Sequence, residues 1–249
     1  IHMEHSRMKN LPPIVLKLGF LSLLNDISSE MAFPLLPLLL ATLPGGGPLA
    51  IGIIEGIADA TATFLKLGSG ILADKIRRRT PFIAAGYSLA GIARPLIALA
   101  AVWPQVLVLR FLDRAGKGMR GAPRDAMIAD SAVPGMRGAA FGFQRMMDHA
   151  GAVAGPLIAM LLLGSFGLSV RHTILMAGIP SVILIMALFT LREPCYHSEP
   201  PGFVQKEGMK ILNRDFLLLL AAIFIFTLGN STDAFLILRL SEAGMPAAF

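Results

Sequence analysis

Charged and aromatic side chains are scarce in this chain of 249 residues. Asp, Glu, Lys and Arg make up 15% of it, and it contains two Tyr and one Trp. A soluble domain carries about 25% charged residues, so the composition does not suit a protein whose whole surface faces water. The formal charge is +6, but few aromatic rings are available for stacking on bases. We therefore expect no nucleic-acid partner.

Cysteine is almost absent. The single Cys195 excludes an internal disulfide framework and a metal site built from several cysteines. The five histidines are scattered without the spacing of a zinc site, and the sequence contains neither a Gly-Lys-Ser/Thr phosphate loop nor a nucleophile elbow. These absences predict no cofactor, no metal and no enzyme activity.

Apolar residues, in contrast, make up 55% of the chain, and the mean hydropathy is +0.68. They form runs long enough to cross a bilayer, which takes a helix of about 20 residues. We number these runs as spans 1 to 7: 14–43, 49–73, 80–102, 105–128, 138–164, 172–191 and 215–240. Span 1 is over-long and contains Pro34 and Pro37, which predicts a kink or a broken outer end. The sequence therefore predicts an all-α membrane protein.

The connections between the spans alternate in charge. Basic residues cluster before span 1 and after spans 2, 4 and 6, whereas the other connections carry only Arg171. By the positive-inside rule, the basic connections and the N-terminus face the cytoplasm. We expect an integral protein of the bacterial inner membrane.

The chain also divides along its length. We interpret it as four parts: a tag remnant and cytoplasmic N-terminus at 1–13, a six-helix bundle at 14–191, a cytoplasmic linker at 192–214, and a seventh helix that starts a second half at 215–249. Span 7 echoes span 1, because Asn25 and Asn230 each precede a hydroxyl–hydroxyl–acid triplet, at 28–30 and 231–233. The echo predicts a six-plus-six repeat, of which this chain would be a fragment.

The loop after span 2 has a specific pattern. Its sequence at 70–79, Gly-Ile-Leu-Ala-Asp-Lys-Ile-Arg-Arg-Arg, resembles the signature cytoplasmic loop of the major facilitator superfamily, G-x-L-a-D-r-x-g-r-r. Gly70 permits a close helix approach, and Asp74 can cap a helix or pair with arginine. The resemblance implies that Gly70, Asp74, Arg78 and Arg79 form a gating loop, which latches the two halves of a transporter.

Span 5 contains a second pattern. Its Gly151-Ala-Val-Ala-Gly155-Pro156 is similar to the fifth-helix motif of the same superfamily, G-x-x-x-G-P-x-x-G, which is associated with antiporters. Glycines four residues apart share one helical face and let a neighbouring helix pack closely, and Pro156 loosens the helix. The motif serves either plain packing or the direction of transport.

Charged residues interrupt spans 1, 2, 4 and 5, although each costs about 2.5–3.5 kcal/mol near the middle of the bilayer. In span 4, Arg110, Asp113, Arg114 and Lys117 are spaced i, i+3, i+4 and i+7, on one helical face. This face either lines a cavity or forms an ion-pair ladder with span 2 or span 5. Arg110 also corresponds to the arginine of the superfamily's fourth-helix motif, R-x-x-x-G.

A buried acid that faces an arginine can exchange a proton as a cavity opens and closes. The candidates for proton coupling are Asp26, Glu30, Asp113, Asp148 and His149. The candidates for the substrate cavity are Asn25, Ser29, Asp59, Arg110 and Arg145.

The resemblance covers residues 14–240 and implies alternating access driven by an ion gradient. Our first hypothesis is a proton-coupled transporter of a small organic solute, with a preference for efflux. Its partners would be the lipid bilayer, the solute, protons and the missing C-terminal half. Uptake symport of a sugar, an organic acid or a siderophore-like compound is the alternative. A receptor or assembly scaffold is a third possibility, but such a protein does not need charges on four spans.

Overall fold

The computed structural model describes residues 11–76, 78–133, 135–192, 214–228 and 234–243, and the regular structure in these ranges is helical. The α-helices are α1 Pro13–Ala32, α2 Leu36–Ala41, α3 Pro48–Ile76, α4 Thr80–Ile97, α5 Trp103–Ser131, α6 Arg137–Gly164, α7 Val170–Met176, α8 Gly178–Leu188, α9 Arg214–Leu228 and α10 Ala234–Glu242. The predicted tag remnant falls mainly on 1–10 and the predicted linker on 193–213, and both stretches lie outside the described residues, as does Arg77.

Proline sets where several helices begin and where two spans break. It occupies the first turn of α1, α2, α4 and α5, where its missing N–H leaves no hydrogen bond unmade. The predicted break in span 1 is confirmed, since a 3-10 turn at Phe33–Leu35 separates α1 from α2. Span 6 also breaks, between α7 and α8, which we did not predict. Pro180 cannot donate to the carbonyl of Met176, and its ring clashes with that carbonyl, so α7 ends there.

Span 7 was predicted as one helix at 215–240. The structure describes two helical stretches within it, α9 and α10, and residues 229–233 between them lie outside the described residues. The triplet at 231–233 and Asn230, which carry the predicted echo, lie outside the described residues. Leu238 of α10 is buried in the core beside α2.

Four stretches of the described residues are long and apolar enough to cross a membrane: Pro13–Ala41, Pro48–Ile76, Arg137–Gly164 and Val170–Leu188. Helices α4 and α5 pack among them, α5 against both α3 and α4, and α6 against α1. The α4–α5 crossing brings two backbones together, because a Cβ added to Gly86 would lie 2.5 Å from the carbonyl oxygen of Gly116.

The buried side chains form two apolar clusters at opposite ends of the bundle. One contains residues near the start of α1, such as Val15, together with Tyr87 and Met127. The other contains residues of α2, such as Leu39, together with Ile97. Between the clusters, along α1, α4, α5 and α6, lies a layer of charged and amide side chains, which we call the polar layer. Its buried members include Asn25, Arg94, Arg110, Asp113 and Gln144.

Candidate functional site

Arg94 of α4 lies at the centre of the polar layer and is only 2% exposed. Its Nε donates to Asp113 Oδ1 at 2.8 Å. Its two terminal nitrogens donate to Asn25, Nη1 to the backbone oxygen at 2.9 Å and Nη2 to the side-chain oxygen at 2.8 Å. Arg94 therefore ties α4 to both α1 and α5. The sequence analysis missed it, although it is the only charged residue in span 3, and a lone charge within a span is a signal for a functional site.

Asp113 of α5 is buried between two guanidinium groups. Besides the bond from Arg94, its Oδ2 lies 3.6 Å from Arg110 Nη1. Arg110 in turn forms a bidentate pair with Glu55 of α3, Nε to Oε1 at 3.1 Å and Nη2 to Oε2 at 3.0 Å. Asp113 therefore acts as the shared counter-ion of two arginines, a placement that favours a structural role over proton exchange. Glu55 was not among the predicted site residues.

A single aromatic ring, that of Phe33, faces three of these cations. The guanidinium carbon of Arg110 lies 3.6 Å from the ring centroid, and those of Arg94 and Arg114 lie 5.7 Å and 5.6 Å from it. A desolvated cation–π contact is worth about 2 kcal/mol, so the ring offsets part of the desolvation of the arginines. Arg114 also lies 3.8 Å from Asp59 of α3, whose side chain is 72% exposed. With the Arg110–Glu55 pair, this contact forms an ion-pair ladder between spans 4 and 2.

The two acids of α1 are held by hydrogen bonds from neighbouring side chains. Asp26 Oδ1 accepts a hydrogen bond from Asn25 Nδ2 at 2.7 Å. Glu30 Oε1 lies 3.4 Å from the Ser29 hydroxyl, and it shares the single proton of that hydroxyl with the backbone oxygen of Asp26 at 3.1 Å. Among the described residues, neither Asp26 nor Glu30 has a basic side chain within 4 Å. Both are half-buried, so they differ from the fully paired Asp113.

On α6, Asp148 lies between two arginines. It is 3.9 Å from Arg124 of α5 and 3.9 Å from Arg145, and it accepts a hydrogen bond of 2.9 Å from Gln144. Arg145 is mainly exposed, and His149 is exposed too. The structure therefore brings the predicted Asp148 and Arg145 together, but it places His149 on an exposed part of α6.

The glycine pair of α6 sits directly against these α1 acids. A Cβ at Gly151 would lie 2.8 Å from both the Asp26 Cβ and the Leu23 backbone oxygen, and one at Gly155 would lie 2.7 Å from the Glu30 Cβ. Any larger side chain would therefore push α6 away from α1. Pro156 is exposed on the helix, and its missing N–H leaves the carbonyl of Ala152 without its usual helical donor.

The predicted gating loop links the ends of α3 and α5. Arg79 Nη1 lies 2.6 Å from Asp130 Oδ2, at the end of α5, while its Nη2 lies 3.6 Å from Asp74 Oδ1. Gly70 faces α5, since a Cβ there would lie 3.2 Å from the Ala122 side chain, and Arg78 is exposed. Asp130 was missed, although an acid close to a basic connection is a recognisable signal for an ion-pair partner.

Comparison with known proteins identifies the family. The sequence matches the Major Facilitator Superfamily over residues 18–248. The chain belongs to this superfamily. The predicted fold, an all-α membrane bundle of the major facilitator type, is thereby confirmed, and the protein is an integral membrane protein.

Two relatives show how much of a facilitator the chain covers. It is 36% identical over 226 residues to an uncharacterised MFS-type transporter of Methanocaldococcus jannaschii, covering 90% of this chain and 56% of that protein. It is 28% identical over 191 residues to the multidrug resistance protein MdtH of Proteus mirabilis, covering 75% of this chain and 46% of that protein. The chain thus spans about half the length of the curated relatives it matches.

Solved facilitator structures share the fold. A crystal structure of the peptide transporter POT in complex with sulfate superposes with a TM-score of 0.63 and 15% identity, over 93% of this chain and 52% of that one. A bacterial homologue of the lysosomal transporter Spinster, in an inward-facing and occupied conformation, gives a TM-score of 0.59 and 20% identity, over 76% of this chain and 44% of that one. At this identity the likeness establishes the fold alone.

Proposed function

We propose that the protein is a secondary active transporter that exchanges a small organic solute for protons by alternating access, in the efflux direction. The observation that carries the proposal is the contrast within the polar layer. Asp113 is buried between arginines, whereas Asp26 and Glu30 are half-buried and form no ion pair among the described residues.

This contrast gives the two kinds of acid different chemistry. A carboxylate that leaves water without a counter-ion is strongly disfavoured, and binding a proton removes that cost. Asp26 and Glu30 can therefore take up a proton when their surroundings are closed to water and lose it when water enters. Asp148, which lies 3.9 Å from Arg124 and Arg145, is the third candidate.

Efflux is supported by two features. The glycine pair of α6 packs against the carbon atoms of Asp26 and Glu30, so the motif associated with antiporters touches the proposed proton site. The similarity to multidrug resistance proteins points the same way. The basic connections support a cytoplasmic N-terminus and a place in the bacterial inner membrane, and the second half of the transporter would complete the cavity.

The proposal is tested with the full-length transporter in liposomes that are acidic inside and contain a pH-sensitive dye. A panel of lipophilic cations, neutral drugs, sugars and organic acids is added outside, with radiolabelled solutes to follow transport. We expect at least one solute to enter while the interior loses protons. Protons that move in the same direction as the solute would make the protein an uptake symporter. Solute transport without any proton movement contradicts the proposed coupling.

The gating loop yields a prediction about rate. Arg79→Ala breaks the contacts with Asp130 and Asp74 that hold the loop between α3 and α5, so we expect the turnover rate of transport to fall about tenfold, roughly 1.4 kcal/mol in the barrier, with solute binding unchanged. The matched control is Lys75→Ala, which removes the same charge from an exposed position. An equal loss in both variants, or an equal loss of binding and turnover, would show that the Arg79 bridge does not gate transport.

A further inference from the structure

We infer that Arg94 is a positioning residue for Asp26. Arg94 fixes the Asn25 side-chain amide so that its NH2 group faces Asp26, and the resulting hydrogen bonds connect Asp26 to Asp113. The inference rests on the proposed function, because it concerns the residue to which we assign proton binding. It adds residues of α1 and α4 that neither the gating loop nor the glycine motif contains.

The connection consists of three short hydrogen bonds. Asp113 Oδ1 accepts from Arg94 Nε at 2.8 Å. Arg94 Nη2 then donates to Asn25 Oδ1 at 2.8 Å, and Asn25 Nδ2 donates to Asp26 Oδ1 at 2.7 Å. Asp113, Arg94 and Asn25 are buried, so water does not compete for the two bonds that Arg94 donates.

The direction of every bond follows from the chemistry of the groups. A guanidinium has five N–H donors and no acceptor, so the Asn25 amide can only present its oxygen to Arg94. The bond from Arg94 Nη1 to the Asn25 backbone oxygen holds the same residue at a second point. The NH2 group is then left facing Asp26, and because it can only donate, the facing oxygen of Asp26 must accept.

Other charged groups interact with Asp26 through their electrostatic field, whereas Asn25 forms a hydrogen bond with it. The groups are Glu30 on α1, Arg94 on α4, Lys117 and Arg120 on α5, and Asp148 on α6. Helix α8, which also packs against α1, carries no charged residue, and on α7 Arg171 bonds to the Ala98 backbone while His172 bonds to Ser169. In the described part of the chain, Asn25 is the side chain that hydrogen-bonds Asp26.

A proton can bind the other oxygen of Asp26, Oδ2, while Oδ1 still accepts from Asn25. The bond from Asn25 is stronger to the charged carboxylate than to the neutral acid, so it favours the ionised form of Asp26. In this way Asn25, and Arg94 which fixes it, connect the protonation state of Asp26 to the junction of α1, α4 and α5.

The test follows the protonated-carboxyl band of Asp26 by infrared spectroscopy of the full-length transporter across a pH series, with the band assigned by its loss in Asp26→Asn. In Asn25→Ala, we expect the titration midpoint to move by about one pH unit to higher pH, the size expected for losing one hydrogen bond to a charged group. Arg94→Lys keeps the charge beside Asp113 but not the fork that holds the amide, so we expect a smaller shift in the same direction.

Ser28→Ala is the matched control. It removes two buried hydrogen bonds of the same helix, with Ser181 and with the Ala177 backbone oxygen. Because it does not touch Asn25, it should leave the midpoint unchanged. An unchanged midpoint in Asn25→Ala, an equal shift in Ser28→Ala, or the absence of an Asp26 band overturns the inference. If Asn25→Ala does not fold, Arg94→Lys decides by the same readout. Should the shift occur while liposomes show no solute-linked proton movement, the hydrogen-bonded link stands and the proposed function fails.

Discussion

Replacing Asp113 with asparagine is expected to lower the free energy of unfolding by about 3–5 kcal/mol. The change leaves the guanidinium groups of Arg94 and Arg110 buried and removes the carboxylate that both of them face. Among the described residues, the ion pair of the remaining acid, Glu55, is with Arg110 and not with Arg94. The measurement is unfolding of the purified full-length protein in detergent by increasing denaturant, followed by circular dichroism.

Two further variants separate the loss of the counter-ion from other causes of lower stability. Asp59→Asn removes a carboxylate from an exposed contact of 3.8 Å with Arg114 and should change stability by less than about 1 kcal/mol. The double variant Arg94→Met with Asp113→Leu replaces both charges by apolar groups and should regain much of the lost stability, since a buried ion pair is often no more stable than a hydrophobic substitute. If Asp113→Asn is as stable as Asp59→Asn, Asp113 is not the shared counter-ion.

The sequence was sufficient to predict the structural features that depend on local chemistry. Apolar runs and basic connections predicted where the helices lie, and Pro34 predicted the break in span 1, because the missing N–H acts on its own turn of helix. The spacing of Gly151 and Gly155 predicted that a second helix would come close. In the structure that helix is α1, and it presents Asp26 and Glu30 at the contact.

The sequence did not predict which helix each charge would meet. The spacing of Arg110 and Asp113 places them on one face of α5, but spacing within a helix says nothing about the residue opposite. The partners Arg94 and Glu55 lie on other spans, so their pairing depends on how α3, α4 and α5 cross. Arg94 is the clearest case: its three bonds connect residues 69 and 19 positions away in the chain, and no local pattern encodes that distance.

Asp26→Asn is expected to abolish solute-linked proton movement in liposomes while leaving the fold and solute binding intact. Asparagine has the shape of a protonated aspartate, and its side-chain oxygen can still accept the bond from Asn25 Nδ2. The variant therefore mimics the protonated state but cannot release a proton. The measurement compares proton flux with radiolabelled solute movement in the same liposome preparation.

An acid near the end of α5 provides the control. Asp125 pairs with the adjacent Arg124 at 3.0 Å, so Asp125→Asn removes a charge of the same kind from a contact within α5 and should leave proton flux near that of the unmodified protein. Asp148→Asn distinguishes α1 from α6 as the site of proton exchange. If coupling survives in Asp26→Asn but is lost in Asp148→Asn, the exchanging acid is the one between Arg124 and Arg145, and α1 supplies only packing. If Asp26→Asn alone loses coupling, Asp26 is the acid that exchanges protons. The glycine pair of α6 packs against this acid, and Arg94 positions it through Asn25.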